Sequence, residues 1–561
     1  MPSSHTQSHD TKPAFARIRA VLRPLSCLFV CFVGTLLLLA VSGCAPRQTL
    51  VEEGNRTRTL HRGIGPDLTD LDPHLASTLG DIHVLSALFE GLVGEDPKTL
   101  APVPGIATRW EISGDGTAYT FHLRPEAVWS DGRPLTADDF VASVRRALSP
   151  ALAAPAAELL YPVLNAEAYH KSRLADATAI GISSTDTHTL RIVLEYPVAH
   201  FLSLLTHPVW FPVPLHAVAA SGPVDSRGNR WASAPATFVG NGAFTLAEWR
   251  RGQEIVATAS RSYWDAAAVS LRAVHFHAYD SNDAEERAYR AGQLHVTDSL
   301  PAGRIAAWRA EAPAQLRTDP FLDIYFYRLN TTRPFLNDAR VRRALSLAID
   351  REQLVSALLP GGQRPATAFV PPGAGGYQPP SVLRHDLDAA RALLAEAGYP
   401  GGQGLPVFEL LYNTSENHRR IAEALQQQWR AVGIQTRLIN QEFATLLDAR
   451  RTGDFQILRS GWVADYDDPI SFLALFTKDG PQNFTGWSDP AYDRALYEAA
   501  RTHDTTVRHA LLRSAETRLL ADAPVLPLYV NTHVFLLHPA VQGWFPTPLD
   551  RHPLKSVRLA P

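Results

Sequence analysis

One stretch of the chain, residues 406–439, restricts the fold more than any other. It combines a strand-like run, an apolar stripe at helical spacing, a glycine and a second strand-like run: residues 406–412; Ile421, Leu425 and Trp429; Gly433; and residues 434–439. Parallel strands need a crossover connection, and a helix is the usual one. A strand, a helix and a strand within about 35 residues therefore predict a parallel βαβ unit.

Other segments predict antiparallel strands and amphipathic helices. The alternating runs 110–112 and 119–123 flank the turn sequence Gly-Asp-Gly, which predicts a β-hairpin. Two further helices are predicted from a capping residue followed by apolar residues at helical spacing: Thr136 with Phe140, Val144 and Leu148, and Asp338 with Val341, Leu345 and Ile349. The chain has 561 residues, enough for several domains, so these regions indicate α/β lobes with an irregular extra lobe.

The N-terminus has the layout of an export signal, because Lys12, Arg17, Arg19 and Arg23 precede an almost wholly apolar run over residues 25–40. The run ends in LAVSGC at 39–44, which resembles the lipobox of bacterial lipoproteins. That resemblance implies cleavage after Gly43 and a lipid on Cys44, with residues 1–43 as signal peptide and 44–55 as tether. The alternative is an uncleaved membrane anchor, for which about 16 residues is short.

Charge and motifs exclude several classes of function. The chain has 53 basic and 56 acidic residues, a formal net charge of −3, so its surface does not favour nucleic acid. It contains no Walker phosphate loop, no G-x-S-x-G nucleophile elbow and no H-E-x-x-H zinc motif. We therefore predict no enzyme activity, no catalytic residue and no cofactor. Cys27 and Cys31 would be lost with the signal, so no disulfide is expected either.

Two polar features remain open at this point. His275 and His277 lie on one face of a predicted strand, where they either ligate a metal or form a plain packed or surface pair; no metal site is predicted. Asp465 follows the bulky Trp462 closely, in a place where water is scarce. Asp465 either caps a turn or faces a cation that is not part of this chain.

Seven segments, in order along the chain, resemble one family. They are LFEGL at 88–92, WSDGRPLTADDF at 129–140, VGNGAF at 239–244, YW at 263–264, FLNDARVR at 335–342, NQEF at 440–443 and GWVADY at 461–466. Together they are similar to the OppA-like oligopeptide-binding proteins of ABC importers, which are extracellular solute-binding proteins of family 5. The likeness runs from about residue 56 to the C-terminus.

The resemblance implies an α/β, periplasmic-binding-protein-like fold of the class II, cluster C type. Two α/β lobes are joined by a hinge, an extra lobe is inserted, and the ligand is trapped between the main lobes. The expected boundaries are 56–89, 236–322 and 529–561 for lobe I, 90–235 for lobe II and 323–528 for lobe III.

The resemblance also implies a binding site. Asp465 is expected to anchor the ammonium group of a peptide, because an enclosed charge needs a partner. His418, Arg450 and Arg459 are expected to meet the peptide carboxylate. The remaining expected site residues pair with the peptide backbone or line side-chain pockets: Thr78, Leu79, Gly461, Trp462, Val463, Tyr161, Phe321 and Phe443. Tyr161, Phe321 and Phe443 could equally be core residues.

The sequence departs from the family pattern at four positions. Phe443 stands where a Trp is usual, and Arg328 stands where the best-known members carry an acid. Asp323 and Val463 replace two cysteines that form a disulfide in some members. These departures bear on peptide length and side-chain preference.

The implied function is a lipid-anchored, monomeric, periplasmic or extracytoplasmic receptor that delivers oligopeptides to an ABC permease with its ATPase subunits. Whether Cys44 would hold it at an inner or an outer membrane is left open. One alternative keeps the fold with another solute, namely a dipeptide, a metal chelate, haem or a sugar. The second alternative is a secreted hydrolase.

Overall fold

A computed structural model describes residues 48–560 of the chain. The predicted signal peptide and the predicted lipid site at Cys44 lie outside the described residues. Within residues 48–560, none of the helices combines the length and the apolar composition that a membrane crossing requires.

The strands, in chain order, are β1 (Thr59–Gly63), β2 (Val93–Glu95), β3 (Pro102–Pro104), β4 (Ala107–Ile112), β5 (Ala118–Leu123), β6 (Ile182–Asp186), β7 (Thr189–Val193), β8 (Phe244–Arg250), β9 (Glu254–Ala259), β10 (Ala273–His277), β11 (Leu316–Leu329), β12 (Arg364–Pro365), β13 (Phe408–Asn413), β14 (Thr436–Gln441), β15 (Ile457–Val463), β16 (Val525–Leu536), β17 (Val541–Gln542) and β18 (Arg558–Leu559).

The α-helices are α1 (Leu50–Thr57), α2 (Leu79–Leu88), α3 (Ala137–Ala147), α4 (Ala166–His170), α5 (Phe201–Leu204), α6 (Leu215–Ala220), α7 (Asn282–Arg290), α8 (Ala302–Glu311), α9 (Ala339–Leu347), α10 (Arg351–Leu358), α11 (Leu387–Glu396), α12 (Glu416–Arg430), α13 (Phe443–Thr452), α14 (Ile470–Leu473), α15 (Pro490–Ala500) and α16 (Thr505–Asp522). Short 3-10 turns also occur, among them Ala157–Leu160.

The predicted βαβ unit is confirmed by β13, α12 and β14. The two strands are parallel, with Leu410 opposite Leu438. The apolar stripe of α12 is fully buried, since Ile421, Leu425 and Trp429 have no exposed surface. The unit forms one edge of a six-stranded mixed sheet with the order β12-β16-β11-β15-β13-β14. This sheet positions β15, whose end leads directly into Asp465.

The predicted hairpin is confirmed by β4 and β5. Their connection contains Gly116 at a positive φ of 70°, a conformation that glycine adopts without a steric penalty. The hairpin belongs to a four-stranded antiparallel sheet with the order β4-β5-β7-β6. Both predicted helix starts are also confirmed, with Thr136 and Asp139 forming a capping box and Asp338 accepting a hydrogen bond from the Arg340 N–H.

A second four-stranded sheet has the order β1-β10-β9-β8. Strand β1 pairs with β10 in parallel although more than 200 residues separate them, and the other pairs are antiparallel. The long excursion between β1 and β8 contains the β4-β5-β7-β6 sheet, so one sheet is inserted into the sequence of the other. The lobe boundaries given above stay predictions.

A buried ion pair connects α3 to the segment that follows β1 in the chain. Arg146 and Asp72 lie 2.6 Å apart, with 1% and 3% of their side chains exposed. The indole N–H of Trp231 also donates to Asp72, at 2.9 Å. Two N–H groups of Arg146, the Trp231 indole and the main-chain N–H of His74 therefore satisfy one buried carboxylate, which offsets the cost of removing it from water.

Candidate functional site

A cavity of about 570 Å³ lies where three distant parts of the chain meet. The start of α2, the 3-10 turn Ala157–Leu160 and the end of β15 line it, together with residues near the C-terminus. Eight residues predicted for the site lie in this lining: Thr78, Leu79, Arg450, Arg459, Gly461, Trp462, Val463 and Asp465.

The main chain of Asp465 is fixed while its carboxylate faces the cavity. Its N–H donates to Ser471 Oγ at 3.1 Å, and its carbonyl accepts a hydrogen bond from the Arg551 guanidinium. Burial raises the pKa of the Asp465 carboxyl to about 7; the nearby Glu158 charge adds to this effect and Arg551 opposes it. Within residues 48–560, no basic side chain lies within ion-pair distance of this carboxylate. Asp465 is therefore a half-buried acid without an ion-pair partner among residues 48–560, and its role toward a cation stays a prediction.

Glu158 is the second acid of the cavity, and the sequence analysis missed it. It lies in the 3-10 turn Ala157–Leu160, some 300 residues from Asp465 in sequence. Burial raises its pKa as well, and no ion pair to it occurs among the described residues. Two carboxylates that repel each other in one cavity form a strong site for a cation. No motif around Glu158 signals this role, since the contact is purely tertiary.

Two arginines supply positive charge to the same cavity. The Arg459 guanidinium lies 4.6 Å from the centre of the Tyr325 ring, and that of Arg450 lies 4.8 Å from the Phe484 ring. The Nε atoms of both are buried and lack a hydrogen-bond partner within the described part of the chain. Burial lowers the pKa of Arg450. Stacked, incompletely bonded guanidinium groups are available to an anionic ligand.

The walls of the cavity present main-chain groups and one indole. Thr78 caps α2 in a capping box with Asp81, which fixes Thr78 and Leu79 at the cavity edge. At the end of β15, Val463 pairs with Asp323 and Trp462 lies beside it. The Trp462 indole N–H is buried and has no hydrogen-bond partner among residues 48–560.

The other four predicted residues lie outside the lining. His418 faces Tyr325, with His418 Nδ1 and the Tyr325 hydroxyl 3.1 Å apart. Burial and then Arg459 lower the pKa of His418 to about 3, so it is neutral and cannot supply a positive charge. Tyr161 lines an adjoining cavity of about 700 Å³ that shares Glu158. Phe321 packs near the His533 ring at 5.7 Å, and Phe443 is 52% exposed at the first residue of α13.

Two of the four positions that depart from the family pattern, Asp323 and Val463, line the cavity. Asp323 lines it, accepts a hydrogen bond from Asn531 at 2.9 Å, and has a pKa raised by burial to about 6. Val463 stands opposite Asp323 in the strand register. The two positions that carry a disulfide in some family members are therefore neighbours in this chain as well. Arg328 is buried and donates to Ser460 Oγ at 3.2 Å and to the Gln482 carbonyl at 3.0 Å, so it lies outside the cavity lining.

The chain belongs to the bacterial extracellular solute-binding proteins of family 5, whose middle region matches residues 101–484. The family consists of binding proteins rather than enzymes, and its periplasmic-binding-protein-like fold agrees with the mixed α/β sheets described above.

The chain is similar in sequence to two curated proteins and in fold to one solved structure. The periplasmic murein peptide-binding protein MppA of Escherichia coli K12 is 36% identical over 90% of this chain and 93% of its own length. The probable deoxycholate-binding periplasmic protein YgiS of the same organism is 38% identical over 84% of this chain and 88% of its own length. The solved structure of the Escherichia coli murein tripeptide-binding protein MppA superposes with a TM-score of 0.80 at 34% identity, over 89% of this chain and 98% of that one.

Proposed function

We propose that this protein is an extracytoplasmic receptor that captures oligopeptides in the 570 Å³ cavity and delivers them to an ABC permease. The observation that carries the proposal is the charge pattern of that cavity. Two carboxylates without counter-ions, Asp465 and Glu158, share it with two incompletely bonded guanidinium groups, Arg450 and Arg459. A free peptide has a matching pair of charges at its two ends.

The acidic side of the cavity suits a peptide ammonium group. Enclosing an unpaired ammonium ion costs several kcal/mol, and a carboxylate offsets that cost through a charge-assisted hydrogen bond. Asp465 is suited to this role because its main chain is already held by Ser471 and Arg551. The raised pKa shows that the ionised form is poorly stabilised by the protein itself. An incoming ammonium group supplies the missing stabilisation.

The remaining lining suits an extended main chain. The end of β15, from Gly461 to Val463, and the capped start of α2 both present backbone groups at the cavity. Pairing with these groups recognises a peptide independently of its sequence. Arg450 and Arg459 then receive the terminal carboxylate, with the choice between them set by peptide length.

A bile acid is a second candidate ligand, because the relative YgiS is named as a probable deoxycholate-binding protein. Deoxycholate carries one carboxylate and no ammonium group. It could pair with Arg450 or Arg459, but it would leave Asp465 and Glu158 enclosed without a cation. The charge pattern therefore favours a zwitterion. The same reasoning disfavours a neutral sugar.

Native mass spectrometry of the protein purified directly from cells tests the ligand class. We expect co-purified masses that fragment as peptides, recovered intact when added back to the protein. A homogeneous bile-acid, haem or sugar mass would contradict the proposal. Cleavage of the added peptide would support the hydrolase alternative instead.

The cellular arrangement forms part of the same proposal. Lipid on Cys44 would hold the receptor at a membrane, and closure of the lobes about their hinge would occur when a peptide contacts both. We expect a monomer that docks on the permease in the closed form. Labelling cells with a radioactive fatty acid tests the anchor, since Cys44→Ala would abolish incorporation, and unchanged incorporation would refute it.

A further inference from the structure

A cluster of histidines lies on the β1-β10-β9-β8 sheet, and none of its members lines the ligand cavity. His61 on β1 and His275 on β10 are direct partners in the parallel register. His277 follows two residues later and therefore points to the same face of the sheet. One nitrogen of each ring lies within 4.8 Å of one nitrogen of the other two. Three imidazoles from two strands thus converge on one point.

A buried carboxylate holds two of these rings in place. Glu254 on β9 stands directly opposite His277 and is only 7% exposed. One of its oxygens faces Nδ1 of His275 at 3.1 Å and Nδ1 of His277 at 3.6 Å. The Nε2 atoms of both rings are not engaged by Glu254, and that of His277 lies 3.0 Å from His61 Nδ1. A carboxylate behind the non-ligating nitrogen is the arrangement that orients metal-binding histidines in proteins.

The cluster can be reached from the solvent. The side chains of His275 and His277 are 27% and 16% exposed, so an ion can enter from the solvent.

We propose that His61, His275 and His277 bind one divalent ion of the late first-row metals, with Zn²⁺ as the probe. Imidazole suits Zn²⁺, Cu²⁺ and Ni²⁺. Tetrahedral Zn²⁺ with bonds of about 2.0 Å sets its ligand nitrogens about 3.3 Å apart. His61 Nδ1 and His277 Nε2 are already 3.0 Å apart, and one nitrogen from each of the three rings lies within 4.8 Å of the others. A water from the exposed side completes the fourth position.

The three residues come from positions that sequence spacing does not connect. The pair His275 and His277 is visible on one strand, but His61 joins it only through the parallel pairing of β1 with β10. Glu254, which also pairs with Arg250, lies behind both rings, and the third imidazole lies at hydrogen-bond distance from His277. The convergence of all four side chains on one face is therefore what points to a metal.

Isothermal titration of the full chain with Zn²⁺ after removal of metals tests the site. The three cysteines all lie in residues 1–44, so alkylation blocks them without altering the cluster. We expect one saturable equivalent that His275→Gln abolishes. Glu254→Gln should weaken it by about 10- to 100-fold, the usual effect of losing such a supporting carboxylate. His385→Gln, at an exposed histidine outside the cluster, should change nothing.

Co²⁺ provides a second readout that does not depend on affinity alone. Its visible absorption in the wild-type protein should indicate a four-coordinate, nitrogen-rich site, and His275→Gln should remove that absorption. Circular dichroism of the variants establishes that they are folded, and His275 is the least buried ligand, which makes its replacement the mildest. Equal Zn²⁺ titrations for the wild type and a folded His275→Gln would overturn the proposal, as would the absence of saturable binding.

Discussion

Glu158 and Asp465 line the same cavity from segments some 300 residues apart, and the charge of Glu158 adds to the burial that raises the pKa of Asp465 to about 7. Neither carboxylate has an ion-pair partner among residues 48–560. A fold that keeps two acids together in this way is less stable in the empty state than it need be. The binding proposal explains the arrangement, because an ammonium group would relieve the repulsion of both acids.

Replacing Glu158 tests whether the two acids act together. We expect Glu158→Gln to weaken binding of a free peptide at pH 7 by about five- to tenfold, since one of two attractive charges is lost. Isothermal titration measures the change. The matched control is Glu167→Gln, at an acid that already pairs with Lys171 at 2.6 Å in the adjoining cavity. If both variants bind alike, Glu158 has no role in recognition.

Binding should depend on pH in a direction set by Asp465. Its pKa is about 7 in the empty protein, and it must be ionised to pair with an ammonium group. Below pH 7 binding therefore releases a proton, and affinity falls as pH falls, approaching tenfold per unit. Above pH 8 affinity falls again, because the peptide amino group loses its proton.

Titrations from pH 6 to pH 9 check this prediction. His207 also lines the cavity, but burial and then Arg551 hold its pKa at about 3, so it stays neutral over this range. Asp323, with a pKa of about 6, adds to the slope only near the acidic limit. Constant affinity between pH 6 and pH 8 would show that Asp465 does not titrate with binding.

The two arginines predict a preference for peptides with a free carboxylate. Amidating the C-terminus should weaken binding to the wild type by about 10- to 100-fold, the usual range for a hydrogen bond to a charged group. For a peptide of a given length, replacing the arginine that meets its carboxylate should remove this preference. That replacement is Arg459→Gln for some lengths and Arg450→Gln for others. The control is Arg437→Gln on β14, where the side chain is 68% exposed and pairs with Glu409. The assignment fails if both cavity variants still prefer the free acid as the wild type does.

The buried pair of Arg146 and Asp72 predicts a stability effect separate from binding. Arg146→Met leaves a buried carboxylate with its main charged partner removed, which should lower the free energy of unfolding by about 3–5 kcal/mol. Arg109→Met removes an exposed pair with Glu111 and should cost less than about 1 kcal/mol. Urea unfolding of both variants checks this. Equal losses would mean that the buried pair does not hold its segments together.

The sequence could predict elements whose signals are local. The βαβ unit followed from apolar spacing and a glycine, and the helix starts followed from Thr136 and Asp338, because caps and stripes involve residues a few positions apart. Asp465, Arg459 and Trp462 were predicted as site residues from the resemblance to a family, and all three line the cavity. The hairpin and helix predictions rest on contacts within one segment, which is why they agree with the structure.

Contacts between distant segments could not be predicted in this way. Glu158 has no recognisable neighbours in sequence, yet tertiary packing brings it to Asp465. His418 was expected to meet the peptide carboxylate; burial and then Arg459 lower its pKa to about 3 in the empty protein, and its role stays a prediction. Phe443 was expected at a pocket wall or in the core; it begins α13 and is 52% exposed in the empty protein, and its pocket role stays a prediction. Register and packing between elements decide these cases, and composition does not reveal them.

The most direct measurement compares a peptide recovered from the purified protein with its N-acetylated form, on the wild type and on Asp465→Asn, by isothermal titration at pH 7.5. Acetylation should weaken binding to the wild type by about 10- to 100-fold. Free and acetylated peptide should bind Asp465→Asn within about threefold of each other, at the lower affinity. Thermal melting should show the Asn variant at least as stable as the wild type, because the ionised Asp465 is costly to bury. An Asp465→Asn protein that binds the free peptide as tightly as the wild type would contradict the account.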